Sequence, residues 1–546
     1  MSIQLMSVPA GTAPVARQLL LNNRKTFLFG AALCALLLAP VILFPLSPDL
    51  AIFAYGGRVL LEGGEIYRDF IDVKPPLVYY LLALVQFLFG DSEPGIRLFD
   101  YFWQMFTCFS LMYIVRRTGF STRAAAGSAL LYALLYTSLS AASTMQCESF
   151  AGPLILWALF NFRVHRSRRA AQFLCGLLLG LSFCFKYTLI AVVPALLLYD
   201  LLSPAGGIRA ATQRWSVIAG GCIIAVALGL AWPLARPGVW AHFVLNVNFT
   251  MDYNSLQALD GAFLRYVLTR LPVLLADQLS LLVCCGFAVA VAVVFGRRTA
   301  GFKLRREALT LWLFVLLVLM LSVVAERKLF VYHLSRILVL LAPLCVVGLL
   351  HVIRFLRAAW NGGELRLRAL ILALAASLAV FSPLPRFVKW TVPAVLFFVD
   401  RAAYDRCYEL TDADNSMIRL QYREAADFVN SRSAAGEDIA VVSFSAAMLY
   451  RLLDQGGLPK FPGRQFYTSS AAPELWRREF YAELNTAEWI IVQSNDRHPI
   501  VTGANDTALD FMLSDSTAHH ILRTRFVRDT AFASFVVYRL HERACR

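Results

Sequence analysis

PPLVYYLLALVQFLFG, residues 75–90, decides how the rest of this chain is arranged. The stretch is apolar enough to enter a membrane and too short to cross one. About 14 helical residues at 1.5 Å each fall well short of a hydrocarbon core roughly 30 Å thick. Its two opening prolines suit a helix start, and its aromatic residues suit the membrane surface. The residues before it, GGEIYRDFIDVK (63–74), are charged and sit between two apolar regions.

The whole chain has 546 residues, of which 58% are hydrophobic and only 16% charged. A soluble protein of this size carries about a quarter charged residues. Apolar runs recur up to residue 385, so the sequence describes a polytopic α-helical membrane protein. The net charge of +15 falls in short loops between apolar runs, which marks membrane orientation and not nucleic-acid binding. Most of the eleven cysteines lie inside apolar segments, without metal-ligand spacing. Residues 27–46 read as a spanning segment and not as a cleavable signal.

Crossings are expected near 27–46, 96–115, 124–142, 150–162, 215–235, 276–296, 308–325, 333–353 and 367–385, with an interrupted apolar run at 170–202. Lys25, Arg116, Arg169, Arg209, Arg298 and Arg354 mark the basic loops, which the positive-inside rule places in the cytoplasm. An even number of crossings must then separate Arg169 from Arg209, so 170–202 should be two short helices turning at Lys186. Only 27–46 and 96–115 can lie between Lys25 and Arg116. Residues 75–90 therefore lie along the outer surface, as a juxtamembrane helix in a first external loop spanning 47–95. The count reaches about eleven crossings with the N-terminus cytoplasmic.

Beyond the membrane region (1–385), residues 386–546 have the composition of a small external α/β domain. DIAVVSF (438–444), WIIVQS (489–494) and FASFVVYRL (532–540) read as strands. SMIRLQYREAADFVNSR and PELWRREFYAEL have helical spacing. Cys407 and Cys545 are the only cysteines there, and an oxidising compartment permits them to pair.

Several ionisable residues gather at the outer ends of these crossings. They are Asp49, Lys74, Glu148, Lys186 and the run ERKLFVYH (326–333). Plainer readings exist for each. Lys74 and Lys186 could snorkel to headgroups, Asp49 could cap the helix starting at Leu50, and Glu148 could cap the next one. His333 could be an ordinary interfacial histidine, and helix 77–89 a simple anchor. Placement of both acids and cations on one face points instead to a site. A lysine can neutralise a phosphate leaving group, and a carboxylate can take a proton from an attacking hydroxyl or amine. With no Walker loop or dinucleotide fingerprint, a sugar at this face would arrive on a lipid.

Asp49, then AYGGRVLLEGGEIYRDFIDVKPPLVYYLLALVQFLFG (54–90), then Arg97 resemble the GT-C superfamily of polyprenyl-phosphate-sugar glycosyltransferases. The likeness is to the branch containing the lipid A aminoarabinose transferase and the protein O-mannosyltransferases. The resemblance implies that Asp49 is a base or acceptor-positioning carboxylate, that Lys74 and Lys186 bind the donor phosphate, and that Glu148 is a second catalytic acid, in the second external loop. Tyr67, Arg68, Asp69, Tyr332 and His333 become candidate substrate-binding residues. Many members have two adjacent acids in the first loop. Here Leu50 follows Asp49, so metal-independent transfer with no cofactor is expected.

The implied partners are a polyprenyl-phosphate-linked sugar, a lipid, glycan or protein acceptor, and membrane lipids. The implied location is a bacterial inner membrane, with the C-terminal domain periplasmic or extracellular and the sugar transferred with inversion. Two alternatives stay open: an oligosaccharyltransferase using a diphosphate-linked glycan, and a transporter or flippase of lipid-linked sugars. Transporters favour midplane polar groups and repeated halves, which this sequence does not clearly show.

Overall fold

A computed structural model describes residues 13–202, 207–255, 261–295, 303–362, 382–412, 415–454 and 457–541. Cys545, Arg298 and most of the crossing expected at 367–385 lie outside them. Helix α1 (Ala13–Leu38) and a 3-10 turn lead into α2 (Pro48–Leu61). The Ser47 hydroxyl caps α2 by accepting from the Leu50 N–H at 3.2 Å, and Pro48 opens its first turn. Asp49 is therefore in the first turn of this helix and is not its cap, which frees its carboxylate.

The stretch from Leu77 to Phe89 forms a separate helix, α3. It buries Val78, Tyr79, Leu82 and Val85 against α2 and exposes Leu84, Phe87 and Leu88. Gly57 makes this packing possible: a Cβ there would lie 2.6 Å from the Gln86 side chain and 2.8 Å from the Ala83 nitrogen. The Gln86 amide also donates to the Ala54 carbonyl at 2.9 Å, fastening one helix to the other. The next helix, α4 (Glu93–Arg117), carries the fully buried Arg97. Arg97 donates to the Phe44 and Ala141 carbonyls at 3.1 and 2.9 Å, and to the Thr144 hydroxyl at 2.9 Å. One guanidinium thus ties the approach to Asp49 to the loop that precedes Glu148.

Then follow α5 (Thr122–Ser138), α6 (Cys147–Val164), α7 (Arg169–Phe185), α8 (Val192–Leu202) and α9 (Gly207–Gly229). Helix α7 stops where expected, at Lys186, and a 3-10 turn leads into α8. Gly176 and Gly180 of α7 and Gly221 of α9 leave no room for a side chain between the two backbones, the close approach that small residues allow in membranes.

The crossing expected at 215–235 ends earlier, at Gly229, and the chain continues as α10 (Ala231–Ala235) and α11 (Pro237–Ser255). The crossing expected at 276–296 is also corrected. Helix α12 (Gly261–Phe295) is broken at Ser280, which has φ +71°, and bends by 102° there. Helices α13 (Lys303–Ala325) and α14 (Ser335–Gly362) complete the membrane region among the described residues. Five described helices are long and apolar enough to cross a membrane, or six if the bent pair counts as one. Shorter apolar helices cover Leu77–Phe89, Arg169–Phe185 and Tyr187–Leu202.

The C-terminal domain is built on a four-stranded sheet of β3 (Ile439–Val442), β4 (Trp489–Gln493), β5 (Phe526–Ala531) and β6 (Phe535–Leu540), after a small β1–β2 hairpin (Leu410–Asp412, Asn415–Met417). The order is β3-β4-β6-β5, with β3 and β4 parallel and the other pairs antiparallel. Strand β5, FVRDTA, is additional to the three expected, because its charged and half-exposed pattern hides it at a sheet edge. The domain packs on the membrane region through α11. Phe249 meets Trp476 edge-on at 5.0 Å and lies 5.8 Å from Phe466.

Candidate active site

A cavity opens where the first loop, α11, the segment before α14 and the C-terminal domain meet. Asp49 projects into it from the first turn of α2, facing Lys74 of the first loop. Lys186, Tyr332 and His333 line the same space. Five residues from distant parts of the sequence are thus brought together.

Local structure explains why Lys74 is there. Tyr67 is fully buried with φ +70°, a left-handed conformation that a bulky residue adopts only when its surroundings enforce it. Its N–H donates to the Phe70 carbonyl and its hydroxyl donates to the Lys74 carbonyl at 2.9 Å. Asp72, also buried, accepts from the Tyr79 hydroxyl at 2.6 Å and from the Val73 N–H at 2.8 Å. The loop is locked on both sides of Lys74. The Lys74 ammonium lies 5.9 and 6.0 Å from the Phe53 and Tyr332 ring centres. Burial opposes its charge, but the field of Tyr332, Asp49 and Asp72 prevails and holds it well above the usual lysine range.

Lys328 faces the same cavity, with its ammonium 3.2 Å from the centre of the Tyr253 ring. Burial, then repulsion from Lys74 and Lys186, holds it well below the usual lysine range. An anion entering the cavity would relieve that repulsion.

The floor is a buried ionic cluster whose members Lys186, Glu326 and His333 also line the cavity. Lys186 bridges Glu148 at 2.5 Å and Glu326 at 2.8 Å. Arg336, in the first turn of α14, bridges the same two carboxylates at 2.9 and 2.6 Å. His333 Nε2 lies 2.9 Å from Glu326, and the Thr188 hydroxyl donates to that carboxylate. Two carboxylates against two fixed cations leave the cluster balanced. Glu148, Glu326 and His333 bring three ligand atoms within 4.8 Å of one another, a spacing that could hold a cation. Lys186 and Arg336 already supply the positive charge such an ion would bring.

Each expected site residue can now be located. Glu148 is fully buried and forms no part of the cavity lining; its place is in the cluster, not as a helix cap. Lys186 is buried and ion-paired, so it does not snorkel. Tyr67 supports Lys74 from behind. Arg68 and Asp69 pair with each other at 2.8 Å outside this cavity, beside His242 and Lys460.

Glu326 and Lys328 stand out in the sequence only as parts of the charged run 326–333 and Asp72 only as part of the charged stretch 63–74, while Arg336 lies outside both. An arginine inside the apolar stretch SRILVLL was a usable signal, since an ionised residue there requires partners. Phe444, Gln465 and His498 of the C-terminal domain also line the cavity. No local pattern marked them.

Comparison with known proteins bears on this arrangement. Residues 73–232 match the family described as Dolichyl-phosphate-mannose-protein mannosyltransferase. That span contains Lys74, Glu148 and Lys186, whereas Asp49, Lys328 and Arg336 fall outside it. No curated protein matches the chain in sequence. The crystal structure of ArnT from Cupriavidus metallidurans bound to undecaprenyl phosphate superposes with a TM-score of 0.56 at 14% identity, covering 97% of this chain and 98% of that one. The crystal structure of the same protein in the apo state gives 0.56 and 14%, with 96% and 98% covered. In sequence over residues 73–232 and in fold over nearly its whole length, this chain resembles the GT-C superfamily of glycosyltransferases.

Proposed function

We propose that this protein is an integral-membrane glycosyltransferase that moves a sugar from a polyprenyl-phosphate donor to an acceptor at the membrane face bearing its C-terminal domain. The observation that carries the reading is the meeting of Asp49 with Lys74 and Lys328 in one cavity at the membrane edge. The superposed ArnT was crystallised with undecaprenyl phosphate, which supports a lipid-phosphate donor here.

The polyprenyl tail stays in lipid beside α3, and its phosphate enters between Lys74 and Lys328. An acceptor hydroxyl or amine attacks the anomeric carbon on the side opposite the phosphate. The new glycosidic bond forms as the bond from carbon to phosphate oxygen breaks. The electron pair leaves with the lipid phosphate, and the acceptor proton passes to Asp49. This displacement inverts the anomeric centre. Charge growing on the departing phosphate is met by the two lysines, so transfer proceeds without a metal. Glu148, Lys186, Glu326 and Arg336 hold the floor and fix where Tyr332 and His333 point.

The location follows as a multi-pass inner membrane of a bacterium with residues 386–546 outside. The test is to incubate purified protein with radiolabelled polyprenyl-phosphate sugars and membrane extract. Transfer from a monophosphate donor is expected. Transfer only from a diphosphate-linked glycan would make it an oligosaccharyltransferase, and donor movement across a bilayer without transfer would make it a flippase.

A further inference from the structure

A second cavity lies between the end of α3 and the C-terminal domain. Four arginines line it: Arg401, Arg419, Arg423 and Arg451. Arg419 is fully engaged, with two bonds to Glu93 at 2.9 and 2.8 Å and one to Asp405 at 3.0 Å. Arg451 is held by Asp91 at 2.7 Å. The other two are freer. Arg423 lies 2.9 Å from Asp405 and is about a third exposed; Arg401 lies over the Phe397 and Tyr404 rings, 4.4 and 4.7 Å from their centres, and its carboxylate contacts are long, 3.4 Å to Glu93 and 3.8 Å to Asp405. Four guanidinium groups thus face three carboxylates, and donors remain for another anion.

The surroundings identify where that anion comes from. On one side α3 exposes Leu84, Phe87 and Leu88. On the other, the segment 384–399 exposes Leu384, Val388, Val392, Val395, Phe398 and Val399. Their spacing of three and four residues makes one apolar stripe, while Trp390 and Ala394 face inward. The stripe belongs to the C-terminal half of the chain, yet it would be costly in water. Lipid is the solvent that suits both apolar faces.

We propose that this cavity binds the phosphate headgroup of an anionic phospholipid in the leaflet next to the C-terminal domain. The acyl chains lie along α3 and the 384–399 stripe, and Arg401 and Arg423 take the phosphate by charge-assisted hydrogen bonds. The lipid joins the first loop to the C-terminal domain at a place separate from the Asp49 cavity, and the assignment does not depend on the proposed transfer reaction.

The test uses the full-length protein in phosphatidylcholine nanodiscs doped with trace photoreactive phosphatidylglycerol or photoreactive phosphatidylcholine. Phosphatidylglycerol should label peptides containing Phe397 or Met448 at least about five-fold more than phosphatidylcholine does. Unlabelled phosphatidylglycerol should compete, and inorganic phosphate should not. The double variant Arg401→Gln/Arg423→Gln should lose the preference, and Arg401→Lys/Arg423→Lys should keep most of it. The wild-type labelling alone decides the matter if the variants misfold. Equal labelling by both lipids, or labelling abolished by inorganic phosphate, would overturn the proposal.

Discussion

Arg336 reaches the Glu148 carboxylate at 2.9 Å across 188 residues of sequence, and both side chains are fully buried. The contact joins α14 to the start of α6 in the cavity floor. A carboxylate held in this way is already committed, because its charge is compensated by Arg336 on one side and Lys186 on the other.

Glu148→Gln should therefore act through stability. Removing one partner of a buried ionic cluster leaves the others uncompensated, at a cost of about 3–5 kcal/mol. Thermal unfolding in detergent should show a clear drop in midpoint. A variant that melts like the wild type but has lost turnover would instead make Glu148 a reacting group.

Asp49 and Ser47 separate chemistry from capping within three residues. Asp49→Asn keeps the shape and removes the proton acceptor, so turnover should fall about 100-fold or more with little change in stability. Ser47→Ala removes the cap and should lower stability by about 1 kcal/mol while the folded protein still transfers sugar. Initial rates and melting points on both variants decide it, and a wild-type rate for Asp49→Asn would remove that residue from the mechanism.

Lys74→Ala and Lys328→Ala should each weaken donor binding as well as slow transfer. A charge-assisted contact to phosphate is worth roughly 1.5–3 kcal/mol, or about 10- to 150-fold in affinity. Titration with a non-transferable polyprenyl phosphate measures this. Normal affinity in both variants would place the phosphate elsewhere.

Metal independence is directly measurable. Turnover should be unchanged after exhaustive dialysis against a chelator, because Lys74 and Lys328 serve the phosphate in the proposed reaction. Activity that vanishes on dialysis and returns with a divalent cation would point to Glu148, Glu326 and His333 as its ligands.

The C-terminal domain carries its own pH signature. Burial pushes the Glu483 carboxyl up to about 8 against the pull of Lys460. The folded state then keeps a proton that the unfolded chain releases near an ordinary glutamate value of about 4.3. Its contribution to stability is complete below that lower value and is lost as pH rises toward 8. Denaturation of wild type should become easier from about pH 5 to 8, and Glu483→Gln should flatten that part of the profile. Parallel profiles for the two proteins would show that the carboxyl ionises normally.

What the sequence determined by itself was set by length, hydropathy and charge placement. A 13-residue α3 is too short to span whatever surrounds it, and an apolar run containing Lys186 breaks there because an ammonium needs solvent or a partner. Strongly apolar strands such as β3 and β4 were legible for the same reason. Tertiary structure alone decided which of the charged residues share a space. Asp49 and Lys74 remain in the cavity, while Glu148 withdraws into a neutral cluster with Arg336. Local sequence cannot distinguish a carboxylate facing open space from one buried between two cations, since the difference lies wholly in partners 38 and 188 residues away. The same holds for Lys328, Gln465 and His498, which line the cavity only because α11 and the C-terminal domain pack over it.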